Sequence, residues 1–352
     1  MLQGHFISSL LANKFKDTSD TTYQIWEYFR GITAPTFFTI TGFVFFYLIL
    51  KDGHLGWNNI RVRKGIIRGL KLIGWGYLLR FGIGGLLFGY YHESYFYTDV
   101  LQIIGTSLIL LSLLYIGLSK YKIIGVVLLM ITLFSFLFER VYNGVHIPFL
   151  PVIFTHYFTN ANGAVFSLFP WFGYVSIGAF LATLFVKHKV RENFYTIMPM
   201  YLGVTGLFLM YFSSPVLYYL HEATGIDIFI ISGKYNYLFS RLGDVLVLFT
   251  LFVYARNYIQ HPIFIKIGKV TLSIYIVHHL ILYGSWFNTG LVHWFYNSLS
   301  LNQALLGAFV FIIIVTYLVL KYRNKANAIL AELQQKLHYQ YRVAKVVLVR
   351  RY

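Results

Sequence analysis

The sequence predicts an all-α, polytopic membrane bundle of about ten transmembrane helices, and three observations carry that expectation. Only 12% of the 352 residues are charged and 58% are hydrophobic, whereas an ordinary soluble domain is about 25% charged. Apolar runs near the roughly 20 residues that a spanning helix needs recur along the chain with short connections. Aromatic residues make up 20%, with 30 Tyr and 34 Phe, a composition that suits anchoring at the lipid–water boundary. Together they exclude a typical soluble protein and a disordered one.

Spans are expected at 1–13, 33–50, 66–89, 99–119, 123–138, 164–186, 195–213, 237–255, 268–288 and 304–321. Segment 1–13 is too short to cross at about 1.5 Å per residue. It reads as re-entrant or as a chain start in the middle of a helix, and the second reading is preferred. Segment 66–89 carries Gly69, Gly74, Gly76, Gly82, Gly84, Gly85 and Gly89, small residues that suit close helix packing. The longest connections are 139–163 and 214–236. No internal repeat is visible, so sequence symmetry gives an inverted-repeat transporter no support. Residues 322–352 mix Ile329, Leu330, Leu333, Leu337 and Val343 with basic residues, the pattern of an amphipathic helix on an anionic leaflet. The expected organisation is thus a bundle over 1–321 and a cytoplasmic tail over 322–352.

The formal charge is +17. The basic residues fall between apolar segments, so the charge reads as positive-inside bias and contact with anionic lipid or substrate, and no nucleic acid is expected as a partner. One side of the bundle collects 22 Lys and Arg against 6 on the other, which places both termini in the cytoplasm. There is no Cys, which removes disulfides, thiolate metal sites and Cys nucleophiles.

Ionisable groups inside spans are costly and therefore candidates for function. They are His5, Arg80, Asp99 with Gln102, Arg241, Asp244, His278 and His279. Rise per residue puts Arg80 roughly 21 Å from the cytoplasmic end of its span and His278 about 15 Å from the start of its own. One polar layer from midplane to outer surface could hold them all. Each has a plainer reading. Arg241 and Asp244 share a helix face three residues apart and suit a structural ion pair as well as a substrate site. Arg80 and Asp99 suit a tie between neighbouring helices. Tyr275 and His278 share a face, whereas His279 is rotated by about 100°; His278 suits hydrogen-bonded packing as well as catalysis. His92, His146, His156 and His221 lack metal-ligand spacing, so no metal is expected. Arg61, Arg63, Lys64, Arg68 and Lys71 crowd the start of one span. A topology signal accounts for the cluster, but Arg68 and Lys71 lie inside the expected helix, and a phosphate-bearing cytoplasmic ligand would satisfy them.

Several stretches, in order, resemble the transmembrane acyltransferases of the heparan-α-glucosaminide N-acetyltransferase-like group and the wider acyltransferase-3 superfamily. They are Met1-Leu2-Gln3-Gly4-His5, FRGITAPTFFTITGFVFFYLI at 29–49, RVRKGIIRGLKLIGWGYLLR at 61–80, TDVLQIIG at 98–105 and GKVTLSIYIVHH at 268–279. The resemblance implies a multi-pass cell-membrane enzyme, here of a bacterial inner membrane. It implies an acyl group, by default acetyl, moved from cytoplasmic acetyl-CoA to a hydroxyl or amine of an extracytoplasmic sugar or glycan. His5 matches the group's helix-one His, regarded as base or acyl carrier, and Arg61, Arg63, Lys64 and Arg68 match its CoA-facing patch. The sequence departs from the pattern in two places. Nothing precedes Met1 where an Arg and a basic-Gly pair usually stand, and the basic cluster lacks the Arg-x-x-Arg spacing of acyltransferase-3 proteins.

The chemistry suits these residues. Imidazole is a base matched to neutral pH, so His5 and His278 are catalytic candidates. Arg80 suits an oxyanion, and Asp99 suits orientation of a histidine or of acceptor hydroxyls. Gln102, Arg241 and Asp244 are the substrate-binding candidates. A transporter or flippase is the alternative function, and a non-catalytic docking protein is a third. Membrane lipids are partners in every reading, and a Gly-rich face can pack within the chain or between copies.

Overall fold

The computed structural model describes residues 1–89, 92–119, 123–145, 147, 149–160 and 164–349, without side chains for 152 and for most positions from 326 onward. Lys120, Lys122, His146, Arg350 and Arg351 therefore lie outside the described residues. So do the side chains of Ile329, Leu330, Leu333, Leu337, Arg342, Val343 and Lys345, and with them the amphipathic character of the tail.

The chain is helical throughout, with no strand among the described residues. In order the helices are α1 (Leu2–Leu10), α2 (Thr21–Asp52), α3 (Ile60–Arg80), α4 (Ile83–Leu87), α5 (Val100–Leu118), α6 (Ile124–Leu137), α7 (Glu139–Tyr142) and α8 (Val152–Phe158). There follow α9 (Leu168–His188), α10 (Phe194–Thr224), α11 (Asp227–Lys234), α12 (Tyr237–Tyr254), α13 (Pro262–Lys269), α14 (Thr271–Tyr283), α15 (Leu291–Phe295) and α16 (Leu301–Val349).

Six helical segments among the described residues are long and apolar enough to cross a membrane, or seven if α13 and α14, bent by 65°, count as one broken span. The expected count of ten is not reached. α1 has 9 residues and α6 has 14, short of the roughly 20 that a crossing needs. α3 carries its cations within the helix and ends at Arg80 rather than continuing to 89, because Phe81 is extended (φ −68°, ψ 117°). α10 runs on to Thr224 through Pro199 and Pro215, so the expected end at 213 is corrected. Proline is tolerated in membrane helices where neighbouring groups satisfy the freed carbonyls.

The chain divides into two compact units, residues 1–17 with 259–284 and 288 onward, and residues 18–258 with 285–287. In the first unit α1 lies along α16. The Phe6 and Phe311 rings are 5.2 Å apart, and Gly307 leaves the space that Phe6 fills. The chain leaving α1 is held by backbone pairing: Leu299 N–H donates to Leu10 O at 2.9 Å and Ala12 N–H to Leu299 O at 2.9 Å. Lys16 Nζ donates to Asn297 Oδ1 at 2.6 Å and to Ser8 O at 2.8 Å. α14 stops at Gly284, whose φ of +68° and contact with Gly290 leave no room for a side chain.

The second unit is built on three close helix pairs, α2 with α9, α3 with α5, and α10 with α12. Each crosses through two glycines. A Cβ on Gly69 would lie 2.5 Å from Gly105 O, and one on Gly105 2.5 Å from Gly69 O. Gly206 and Gly243 meet in the same reciprocal way, and Gly42 and Gly178 each meet the facing backbone. Such crossings let backbones touch where lipid supplies no hydrophobic drive. Buried Asn59 sets the start of α3. Its Oδ1 accepts from the N–H groups of Arg61 (2.9 Å) and Val62 (3.3 Å), and its Nδ2 donates to Ile49 O (2.9 Å) and His54 O (3.0 Å). One side chain thereby caps α3 and ties it to the end of α2.

Candidate active site

In the first unit α1 and α14 bring His5 and His278 together. Their ring centroids are 5.3 Å apart, and His5 Nδ1 lies 3.1 Å from the hydroxyl of Tyr283. Tyr275 stands edge-on to His278 at 5.1 Å, and His279 lies over Tyr283 at 4.7 Å. His278 is fully buried and His279 is not, as the helical rotation between them predicts.

The state of His278 follows from its surroundings. Nδ1 lies 3.3 Å from Ile274 O. A carbonyl can only accept, so Nδ1 carries the proton, and when the ring is neutral its lone pair lies on Nε2. That Nε2 is buried and without a hydrogen-bond partner. The sequence reading had not singled out Tyr283 or Ser9, whose hydroxyl is 3.4 Å from that of Tyr283. The signal for Tyr283 was its position one helical turn after His279, easily lost among 30 tyrosines.

In the second unit Arg80 ends α3 and meets the start of α5. Its Nη2 donates to Asp99 Oδ2 at 3.3 Å and its Nη1 to Ser94 O at 3.2 Å. Asp99 is also the N-cap of α5. It accepts from Val100 N–H at 2.7 Å, while Gln102 Oε1 accepts from Asp99 N–H at 3.2 Å, a reciprocal capping box. Arg80 Nε and Gln102 Nε2 are buried donors with no partner. Nearby, Thr98 Oγ1 contacts His156 O and Phe166 O, and buried His156 packs edge-on to Tyr97 at 4.9 Å. The hydroxyls of Tyr77 and Tyr157 lie 3.1 Å apart, and burial pushes the Tyr157 hydroxyl well above the usual tyrosine range.

Arg241 and Asp244 form their ion pair within α12 at 3.1 Å. Tyr28 of α2 donates its hydroxyl to Asp244 Oδ1, and the Arg241 guanidinium covers the Tyr28 ring at 4.4 Å. The structure thus places the candidates in three groups: His5 with His278 in the first unit, and Arg80–Asp99–Gln102 and Tyr28–Arg241–Asp244 in the second. Tyr28 was not anticipated.

Arg61, Arg63, Lys64, Arg68 and Lys71 are all exposed on α3, whose buried edge is Val62, Gly65, Gly69, Leu72, Gly76 and Leu79. Arg61, Lys64, Arg68 and Lys71 follow one another at three- and four-residue steps and so form a stripe beside that edge. The first turn of α3 carries no acid. Cations at a helix N-terminus oppose the macrodipole, whereas an anion there is favoured. Among the described residues no three His, Asp or Glu side chains converge as a metal site.

Residues 1–223 match the family described as heparan-alpha-glucosaminide N-acetyltransferase, catalytic. The chain belongs to this family. No curated protein and no solved structure gives a match. Family membership together with the apolar helices makes the chain a membrane acetyltransferase in general terms. The matched region of this N-acetyltransferase family takes in His5, the basic stripe of α3, Arg80, Asp99 and Gln102, and ends before Arg241, Asp244 and His278.

Proposed function

We propose that the chain transfers an acetyl group from cytoplasmic acetyl-CoA to a hydroxyl or amine of an extracytoplasmic sugar or glycan, with both termini in the cytoplasm. The observation that supports this best is the pairing of His5 with His278, whose buried Nε2 lone pair has no partner. In this reading an imidazole takes the proton of the acceptor as its oxygen or nitrogen attacks the thioester carbonyl. The C–S bond then breaks, and the proton passes to the departing thiolate. Tyr283 orients the His5 ring through Nδ1. In the second unit Arg80, held by Asp99 and Ser94 with Nε unused, is a cation suited to a developing negative charge. The phosphates of the donor are assigned to Arg61, Arg63, Lys64 and Arg68 at the N-terminus of α3, where charge and helix dipole favour an anion alike. Asp99 and Gln102 position Arg80, and Arg241 and Asp244 meet acceptor hydroxyls. Residues 1–321 form the catalytic bundle and 322–352 a tail on the cytoplasmic leaflet.

The test is acetyl-CoA binding to the full chain in nanodiscs, compared with an Arg61→Gln, Arg63→Gln, Lys64→Gln variant. Micromolar binding that weakens at least tenfold in the folded variant is expected. Equal binding by both proteins would remove the donor assignment. Substrate counterflow in vesicles without any acyl donor would favour a transporter instead.

A further inference from the structure

A groove of about 580 Å³ runs along α2 and α12 within the second unit, a volume within the usual range for small-molecule sites. Its walls are apolar, with Ile32, Phe37 and Ile40 from α2 and Leu248, Leu251 and Phe252 from α12. Both helices are candidate membrane spans. One end of the groove is different: Tyr28 and Asp244 line it there. Asp244 is 3% exposed, and its carboxylate accepts from Tyr28 and from Arg241. The guanidinium lies against α2 at Gly31, where an added Cβ would sit 3.0 Å from Nη2. Farther along the wall, Thr36 Oγ1 is buried without a partner.

We infer that this groove binds a glycolipid, with its sugar head at Tyr28 and Asp244, the latter paired with Arg241, and its hydrocarbon tail along the wall toward Ile40 and Phe252. This deepens the acceptor assignment above and rests on that reading. Three arguments carry it. The polar end holds one anion and one cation and is neutral overall, so it gives a net-charged phosphate head no advantage. A sugar hydroxyl both donates and accepts, and at the polar end of the groove it meets the Tyr28 hydroxyl and the Asp244 carboxylate, which has lone pairs beyond those taken by Tyr28 and Arg241. The apolar wall extends along α2 from Tyr28 to Ile40, about 18 Å of helix, too long and too dry for a free sugar but suited to an alkyl chain.

The experiment uses the full chain in phosphatidylcholine nanodiscs. The probe is a dodecyl β-glucoside with a diazirine on its tail, and the control is the same tail as a plain alcohol. Adducts are mapped by peptide mass spectrometry. The glucoside is expected to label 28–40 and 244–252 at least tenfold above the alcohol. Leu248→Trp, which fills the groove, lowers that labelling at least tenfold. Asp244→Asn brings the glucoside down to the level of the alcohol and leaves the alcohol unchanged. Tyr28→Phe, which removes one hydroxyl and keeps the ring, lowers glucoside labelling about threefold and serves if the Asp244 variant does not fold. Equal labelling by both probes would overturn the proposal, as would adducts elsewhere or displacement by phosphatidylglycerol as effective as by unlabelled glucoside. No acyl donor enters this experiment. Lost acetyl-CoA binding with intact glucoside labelling sinks the donor assignment alone, and the reverse sinks the glycolipid alone.

Discussion

His278 Nδ1 lies 3.3 Å from the carbonyl oxygen of Ile274, one turn back on the same helix, which leaves its lone pair on a buried Nε2 with no partner. A polar atom kept dry and unsatisfied costs about 1–3 kcal/mol. Replacing His278 by Gln keeps a polar group but removes the base. Acetyl transfer is expected to fall by about 10²–10⁴-fold, while acetyl-CoA affinity stays within twofold. His5→Ala should behave alike. A fall in folded yield that accounts for the whole loss would make His278 a packing residue.

Arg80 and Asp99 are tied at 3.3 Å, each side chain 19% exposed. Asp99 also caps α5, so Asp99→Asn keeps much of the cap while removing the charge. A double-mutant cycle on thermal stability with Arg80→Gln should give a coupling of about 1 kcal/mol. If Arg80 serves the reaction, Arg80→Gln reduces transfer far more than Asp99→Asn does at matched stability. Equal reductions would mark the pair as structural.

Asn59 makes four hydrogen bonds from a fully buried position. Asn59→Ala leaves the N–H groups of Arg61 and Val62 uncapped and removes the bond to Ile49 O, while His54 O keeps the Tyr115 hydroxyl, and should cost about 2 kcal/mol or more. Asn59→Asp keeps the cap for Arg61 and Val62 but loses both donated bonds. Thermal unfolding in detergent should rank wild type above either variant, with donor affinity reduced because the basic stripe begins at Arg61.

Gly105 faces Gly69 with no space for a methyl group. Gly105→Leu is expected to separate α3 from α5 and abolish monodisperse protein. Gly74 meets nothing within 4 Å, so Gly74→Ala should be tolerated or slightly stabilising, since helical Gly is worth about 1 kcal/mol less than Ala. Size-exclusion profiles of the two variants separate these outcomes.

The helical class and the membrane setting were legible because so low a charge density has few other solutions. The ion pairs Arg241–Asp244 and Arg80–Asp99 were legible as pairings, the first from helical spacing alone. Helix ends were harder. The span expected at 195–213 runs through Pro199 but stops before Pro215, yet α10 passes both, although each proline leaves the carbonyl four residues earlier, at Tyr195 or Tyr211, without its helical N–H. Asp20 starts α2 far ahead of its apolar run by accepting from Tyr23 N–H at 2.8 Å. Tyr28 and Tyr283 were missed because their roles depend on residues more than 200 positions and 270 positions away, respectively.

The glycine crossing of α3 with α5 has a mechanical consequence. Where two backbones touch, no layer of side chains can yield between them, and the close approach does not stop at Gly69: a Cβ on Gly65 would meet Ser112, and one on Gly76 would meet Gln102. α3 is thus held against α5 at three levels along its length. The rod that begins at Arg61 and ends at Arg80, about 28 Å of helix, therefore works as a spacer that fixes the distance between the basic stripe and the Arg80–Asp99 pair.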